Sequence, residues 1–154
     1  MNNIKYKFFW GGIFSNWFIS EFNVDGIEYK CAEQYMMYQK AVLFNDTEMT
    51  NKILYEQSPK LQKAFGRKVK NFDSKKWDSV KYEIVKKGLR AKFTRDSSLK
   101  EYLLKYKGFQ FVEASPYDRI WGIGFEKDNA MSNIDKWGQN LLGKILTELS
   151  QEID

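Results

Sequence analysis

The residues best suited to chemistry lie in two segments of the chain. The segment EASPYDRIWGIGF, residues 113–125, places Glu113, Asp118 and Arg119 among aromatic side chains. Bringing charged groups close to buried aromatics costs free energy unless the charges are paired, so such groups are often kept for binding or catalysis. The segment is therefore a candidate site. The alternative interpretation is an edge hairpin whose charged turn is simply solvated.

Proline, glycine and tryptophan shape this first segment. Pro116 fixes its own φ and biases the residue before it to an extended conformation, so two strand ends should meet at a defined angle. Gly122 lacks a side chain, which permits close approach to the backbone. We therefore expect Glu113, Asp118 and Trp121 to project from neighbouring strand ends.

The second candidate is a stripe on a helix expected from about Ala32 to Phe44. Seven residues are nearly two helical turns, so Glu33 and Lys40 share a face, with two methionines between them. If that face lines a pocket, Glu33 is a candidate base, and Lys40 is a cation or a nucleophile whose pKa is lowered by burial. Otherwise the methionines pack inside and the two charged groups reach for solvent.

Three further positions could contact a ligand. Ser15-Asn16-Trp17 is predicted to be a loop that sets polar groups beside an aromatic surface suited to a planar ligand, unless Trp17 is tucked into the core. The basic run that begins at Arg67 could meet phosphate, although such runs are more often solvated connectors. Asn140 is predicted to cap the last helix, whose N-terminus is a candidate anion site.

The amino-acid composition narrows the chemistry. The chain has no histidine and one cysteine, which excludes histidine triads, histidine-containing zinc sites and all-cysteine metal clusters. Catalysis must then use carboxylates, lysine, tyrosine, hydroxyls or an oxygen-bound cation, and we predict no metal site and no cofactor. The net charge of +5 favours acidic partners such as nucleotides or nucleic acid.

The elements that position these residues are predicted to be strands first and helices afterwards. Ile4, Tyr6 and Phe8 alternate as in a half-buried strand, and Asp25-Gly26 is typical of a type I′ hairpin. The apolar runs on either side of the turn at Pro116 are expected to be two more strands. The fold class is α+β, with a small, mainly antiparallel sheet surrounded by helices in a single domain, residues 1–154.

Helix boundaries can be placed from capping residues. Helix starts are predicted at Asp46, at Ser58-Pro59, at Asp73 or Ser74 and at Asn140, and helix ends at Gly66 and Gly108. No apolar run is long enough for a membrane span and no leader is evident, so we expect a cytoplasmic protein without membrane contact.

Several of these residues belong to words that occur together in one family. The words are SNW (15–17), EQYMM (33–37), KA (40–41), GR (66–67), FD (72–73), EASP (113–116), IWGIG (120–124) and WGQNLLG (137–143). In these words and their order, which span nearly the whole chain, the sequence resembles the NADAR/YbiA-like family.

The resemblance implies an N-glycosidase that acts on ribosyl nitrogen bonds. One branch removes ADP-ribose from guanine bases in DNA, and this is the function we expect. A second branch hydrolyses early riboflavin-pathway ribosylamino-pyrimidine phosphates, and a third interpretation is a non-catalytic module that binds ADP-ribose or a nucleotide-like small molecule. The first branch implies an ADP-ribosyltransferase as a toxin–antitoxin partner. We expect a monomer.

That chemistry fits the candidate residues without histidine or metal. It requires stabilisation of an oxocarbenium-like centre, proton transfer to the departing amine, and a nucleophile at the anomeric carbon. The candidates for catalysis are Glu33, Lys40, Asp118 and Glu113. The candidates for ligand binding are Asn16, Trp17, Met37, Arg67, Arg119, Trp121, Gly122 and Asn140.

Nucleic-acid binding without catalysis ranks last among the functions considered, because no standard binding motif is present and the lysines are dispersed among negative charges.

Overall fold

The computed structural model describes residues 3–154, which pack as two compact units. Unit 1 joins the chain up to Ser15 with Asp96–Asp154, and unit 2 is Asn16–Arg95. No helix in the described part of the chain is long and apolar enough to span a membrane.

The element boundaries follow the predicted order. The strands of residues 3–154 are β1 (Tyr6–Phe9), β2 (Phe22–Val24), β3 (Ile27–Tyr29) and β4 (Gln110–Glu113). The helices are α1 (Ala32–Leu43), α2 (Thr47–Tyr55), α3 (Pro59–Gly66), α4 (Ser74–Arg95), α5 (Ser97–Lys105), α6 (Lys127–Ala130) and α7 (Leu141–Glu152), with a 3₁₀ segment at Met131–Lys136. The α+β class is therefore confirmed.

The prediction of a mainly antiparallel sheet is only partly correct. β2 and β3 form the expected antiparallel hairpin, in which Asp25 and Gly26 both have positive φ, as a type I′ turn requires. β1 and β4, however, pair in parallel, from Tyr6 opposite Gln110 to Phe9 opposite Glu113. A parallel pair needs a long connection between its strands, and here that connection contains the whole of unit 2.

The prediction of a second strand after the turn at Pro116 is wrong. Residues 120–125 are irregular, and their backbone groups are satisfied by loop residues instead of by a ladder. The amides of Gly138, Asn140 and Leu142 donate to carbonyls of this segment at 2.8–3.1 Å. The amide of Ile123 donates to the Glu113 carbonyl at 3.0 Å, so the segment folds back against the end of β4.

The core of unit 1 is built where α7 packs against β4. Leu142, Ile145 and Leu146 of α7 are fully buried, as their helical spacing predicts. Phe111 of β4 lies at 5.1 Å, centroid to centroid, in a T-shaped contact with Phe14. Burial of such side chains contributes about 1.5–3 kcal/mol each relative to exposure.

Unit 2 is organised around α1, which α2, α3 and α4 contact. Its N-terminal half is buried on nearly all sides, from Ala32 to Met37. The hairpin adds Phe22, Val24 and Tyr29 to a cluster with Tyr35 of α1. Since α1 is surrounded in this way, polar residues on it must find partners inside the unit.

The predicted helix starts and one predicted end are confirmed. Asp46 accepts from the Met49 amide at 3.1 Å, Ser58 caps α3 with Pro59 at its start, and Asp73 accepts from the Lys75 amide at 3.0 Å. Gly66 is the last residue of α3.

Close contact between α4 and α1 depends on Gly88. A Cβ at this position would lie 2.5 Å from the Tyr35 ring, well inside van der Waals contact. We expect Gly88→Ala to lower the free energy of unfolding by about 1–3 kcal/mol through overpacking, although alanine favours helices by about 1 kcal/mol. Denaturant titration measures the change. Glu83→Ala, on an exposed position of α4, is the matched control, and a stabilised Gly88→Ala would contradict the packing argument.

Candidate functional site

The candidate site in unit 2 begins with a carboxylate that the fold removes from solvent. Glu33, in the first turn of α1, is only 3% exposed. Its backbone amide donates to the Asn16 carbonyl at 2.8 Å, and its Oε1 accepts from the Trp17 indole nitrogen at 3.3 Å. The alternative interpretation, in which Glu33 reaches for solvent, is wrong, because Asn16 and Trp17 pack against the start of α1. The position at a helix N-terminus favours its negative charge.

Asn16 adds a buried acceptor to the same place. The residue is 8% exposed, and its Oδ1 has no hydrogen-bond partner among residues 3–154. A buried polar atom without a partner costs about 1–3 kcal/mol. Such atoms are rare in folded proteins and are often explained by function. The amide oxygen is suited to accept from a ligand hydroxyl.

Lys40 lies two turns after Glu33 on α1 and is half-buried. Burial lowers its pKa, the Glu33 carboxylate opposes that shift, and the nearby Arg67 guanidinium adds to it. The structure therefore brings Glu33, Lys40 and Arg67 within electrostatic reach of one another. Burial is the largest of the three effects, so the ammonium form is disfavoured relative to that of a solvated lysine.

Phe72 is a part of this site that the sequence did not single out. The Lys40 ammonium lies 4.5 Å from the centroid of the Phe72 ring, and Phe44 meets the same ring in a T-shaped contact at 5.4 Å. Phe72 is 45% exposed although it is aromatic. Phe72 belongs to the word FD at residues 72–73, in which the predicted role is the helix cap at Asp73. The face of the ring attracts the ammonium form of Lys40.

Met37 and Arg67 occupy opposite environments. Met37 is buried, and α3 approaches it so closely that a Cβ on Gly66 would overlap its sulfur. Met37 therefore packs in the helix interface. Arg67, the C-cap residue of α3, is exposed.

The candidate residues of unit 1 gather around the end of β4. Asn140 links them with both ends of its amide: Oδ1 accepts from the Glu113 amide at 3.0 Å, and Nδ2 donates to the Phe111 carbonyl at 3.0 Å. Asn140 does occupy the N-cap position of α7, but its side chain makes no capping bond. The side-chain amide of Asn140 instead bonds to the backbone edge of β4. The prediction that this side chain caps α7 is therefore wrong.

Gly122 is required by this arrangement. A Cβ there would lie 2.8 Å from the Glu113 carbonyl oxygen and 3.0 Å from that of Asp118. Glu113 itself is half-buried at the end of β4. Only glycine lets the chain pass this close to two carbonyl groups.

Asp118 and Arg119 also hold the loop. Asp118 Oδ1 accepts from the amides of Ile120 and Trp121 at 2.8 and 2.9 Å. Arg119 donates from Nη2 to the Lys136 carbonyl at 2.6 Å. Trp121 is half-buried. The Oδ1 atom of Asp118 therefore stabilises the loop, and Oδ2 is the oxygen that could take part in catalysis.

Lys92 of α4 is a buried titratable group that the sequence did not reveal. It is fully buried, and its ammonium lies 5.6 and 5.0 Å from the ring centroids of Phe18 and Phe93. Burial lowers the pKa of Lys92 to about 7, while Cys31 opposes the shift. Cys31 is the N-cap residue of α1, and its thiol donates to Gln62 Oε1 at 3.1 Å.

The fold agrees with that of a known protein family. A NADAR domain profile matches residues 8–154, and the chain belongs to the NADAR family. The resemblance of its sequence words to this family is thereby confirmed.

Individual relatives match over most of their own length. The chain is 42% identical to N-glycosidase R617 of Acanthamoeba polyphaga mimivirus, covering 99% of this chain and 98% of that protein. It is 32% identical to N-glycosidase YbiA of Escherichia coli, covering 92% and 81%. The NMR structure of E. coli YbiA superposes with a TM-score of 0.81 at 29% identity, covering 99% of this chain and 87% of that one.

The burial of Lys92 predicts a pH-dependent stability. Because its folded-state pKa, about 7, lies below the 10.5 of a solvated lysine, the unfolded chain binds more protons between these values. Stability should therefore rise with pH in this window, by up to about 1.4 kcal/mol per pH unit. Lys92→Met should flatten the rise, as measured by denaturant unfolding at several pH values. Lys81→Met, at a nearly buried α4 lysine paired with Asp78, is the control. A wild-type slope retained in Lys92→Met would contradict the assignment.

Proposed function

We propose that this protein is an N-glycosidase that hydrolyses a ribosyl N-glycosidic bond, and that its substrate is ADP-ribosylated guanine in DNA. The observation that carries the proposal is the pairing, on one face of α1, of a carboxylate that is 3% exposed with a lysine whose pKa burial lowers. The names of the relatives R617 and YbiA, both N-glycosidases, support the same reaction.

Glu33 is suited to proton transfer in such a site. Its Oε1 accepts from the Trp17 indole, which fixes the carboxylate beside an aromatic surface that is 44% exposed. A planar base can stack on that ring. The buried Asn16 Oδ1, next to Trp17 in the chain, can accept from a ribose hydroxyl. Ligand binding in unit 2 therefore has a stacking surface, a hydroxyl acceptor and a carboxylate within one short loop and one helical turn.

Lys40 supplies the nucleophile in the route we favour. Its neutral amine attacks the anomeric carbon, the bond from that carbon to the guanine nitrogen breaks, and the departing nitrogen takes up a proton. The sugar ring then opens to an imine on Nζ, and water adds to the same carbon and releases Lys40. Glu33 moves the protons. The alternative is that Lys40 stays charged and positions the substrate while a carboxylate activates water directly.

The unit 1 residues Asp118, Glu113, Trp121 and Arg119 stay candidates from the sequence for contacts with a ligand, and no step of the route above is assigned to them. We propose that none of these steps uses a metal, since carboxylate, amine and aromatic groups supply each of them.

The substrate test compares two modified compounds. Incubation with an oligonucleotide that carries ADP-ribosylated guanine should release ADP-ribose, in excess chelator as well as without it, as read by product mass. Glu33→Gln should lower kcat about 100- to 10,000-fold, the usual contribution of general acid–base catalysis. Glu21→Gln, at an exposed carboxylate, is the control. Turnover of ribosylamino-pyrimidine phosphate alone would assign the other branch, and binding without turnover of either compound would contradict an enzyme.

The imine route predicts a covalent adduct on one lysine. Borohydride added during turnover should reduce the imine and leave the mass of the opened sugar on Lys40, located by peptide mapping. Because Lys92 also has a lowered pKa, the map must separate the two lysines. An adduct on Lys92, or none from an active enzyme under conditions that trap a known imine-forming enzyme, would exclude Lys40 as the covalent nucleophile.

A further inference from the structure

Unit 1 exposes an aromatic pair that its core does not use. Trp10 is 57% exposed and Tyr117 is 85% exposed, yet their ring centroids lie 5.8 Å apart. Large aromatic side chains contribute most when they are buried. Two adjacent, exposed rings at the end of β1 and in the turn after β4 therefore offer a stacking surface. Tyr117 immediately precedes Asp118, so this surface adjoins a candidate catalytic residue.

A groove runs from Trp10 towards α5. It has a volume of about 440 Å³, within the range of ligand grooves, and its walls include Lys7, Trp10 and Tyr102. Gly11 and Gly12 also line the groove, both with positive φ and with no atom within 4 Å of the position that a Cβ would occupy. Bare backbone at this point leaves the Trp10 ring accessible.

Lysines alternate with aromatic rings along the same side of unit 1. Lys7 lies 4.5 Å from the Tyr106 ring centroid, Lys105 lies 5.6 Å from that of Tyr102, and Lys5 lies 5.7 Å from that of Phe109. The hydrogen bond with Lys7 lowers the pKa of Tyr106, with the charge of Lys7 adding to the effect, which reports a positive local potential. Lys5, which precedes β1, and Lys7 of β1 are far from Lys105 in the sequence. The pairing of β1 with β4, which follows α5, brings these lysines together.

We propose that the surface formed by Lys5, Lys7, Trp10, Tyr102, Lys105 and Tyr117, here called the Trp10 surface, binds single-stranded DNA. Exposed rings stack on unpaired bases while lysines contact the phosphates, the combination typical of single-strand binding. A duplex hides its base faces and would engage only the lysines. A protein partner is disfavoured because lysine is depleted from interface cores.

A second groove also borders Trp10. It has a volume of about 280 Å³, and its lining includes Glu126, Lys127 and Asp128, whose charges sum to −1. The charged residue of the first groove is Lys7, so the phosphates of the bound strand should follow the Lys7 side. The inference rests on the proposed DNA substrate and assigns unpaired nucleotides of that substrate to the Trp10 surface.

The test uses unmodified DNA, so it does not depend on hydrolysis. Fluorescence anisotropy should show that the protein binds labelled oligothymidylate more tightly than an abasic strand of equal length or a duplex. Trp10→Ala and Tyr117→Ser should each weaken binding of oligothymidylate roughly 5- to 150-fold and leave binding of the abasic strand unchanged. Tyr55→Ser, at a tyrosine that is 80% exposed in unit 2, is the matched control.

Salt dependence tests the lysines separately. Lys7→Gln and Lys105→Gln should each reduce the slope of log K against log salt by about 0.7, the value for one phosphate contact to a single strand. Lys60→Gln, at an exposed position of α3, should leave the slope unchanged.

Tyr117→Ser removes a side chain that is almost wholly in solvent, so a loss of affinity in this variant cannot be attributed to misfolding.

The outcomes separate this inference from the proposed reaction. Stacking-dependent binding without hydrolysis of ADP-ribosylated guanine would support the Trp10 surface and contradict the substrate. Hydrolysis with wild-type affinity in both Trp10→Ala and Tyr117→Ser would support the reaction and overturn the Trp10 surface. Equal affinity for oligothymidylate and the abasic strand, or binding to anionic vesicles in place of DNA, would also overturn it.

Discussion

The burial of polar side chains on α1 is the constraint on which unit 2 depends. Glu33 and Gln34 follow one another at the start of this helix and are 3% and 0% exposed. Gln34 donates to the carbonyls of Ile53 and Leu54 at 3.1 Å and accepts from the Lys30 amide at 2.7 Å. A small displacement of α1 would break several of these bonds at once, and each buried group left without a partner costs about 1–3 kcal/mol.

This constraint fixes the geometry that the chemistry needs. The rise of α1 fixes the separation of Glu33 and Lys40, and Gln34 anchors that helix to the end of α2. Lys40 then rests on Phe72, whose ring has its own contact with Phe44. Burial of Lys40 favours its neutral form, whereas the Glu33 carboxylate and the face of the Phe72 ring favour its charged form. Burial is the largest effect on the pKa of Lys40, which lies below that of a solvated lysine.

Local features of the fold could be predicted from the sequence, whereas long-range pairings could not. Asp46, Ser58 and the Asp25-Gly26 turn act on residues two or three positions away, so their roles are visible in short words. The parallel pairing of β1 with β4 joins segments that are far apart in the sequence, and no short pattern encodes it. The expectation of a mainly antiparallel sheet is therefore correct only for β2 and β3.

The same distinction applies to the candidate site. Helical spacing placed Glu33 and Lys40 on one face, but it could not reveal that Trp17 would approach Glu33. Asn140 carries a helix-start signal, yet its amide bridges two backbone groups of β4, a use that depends on tertiary structure. Lys92 was overlooked because a lysine on a helix normally lies at the surface, and only the packed structure shows that this one does not.

Cys31, at the start of α1, has an unreactive thiol in the folded protein. Its thiol is fully buried, and burial raises its pKa to about 11, so the reactive thiolate is scarce and inaccessible. As the chain has no other cysteine, any reaction with a thiol reagent reports the opening of this region. The protein thus carries a single native probe at the base of its candidate site, from which the frequency of local unfolding can be read without introducing a label.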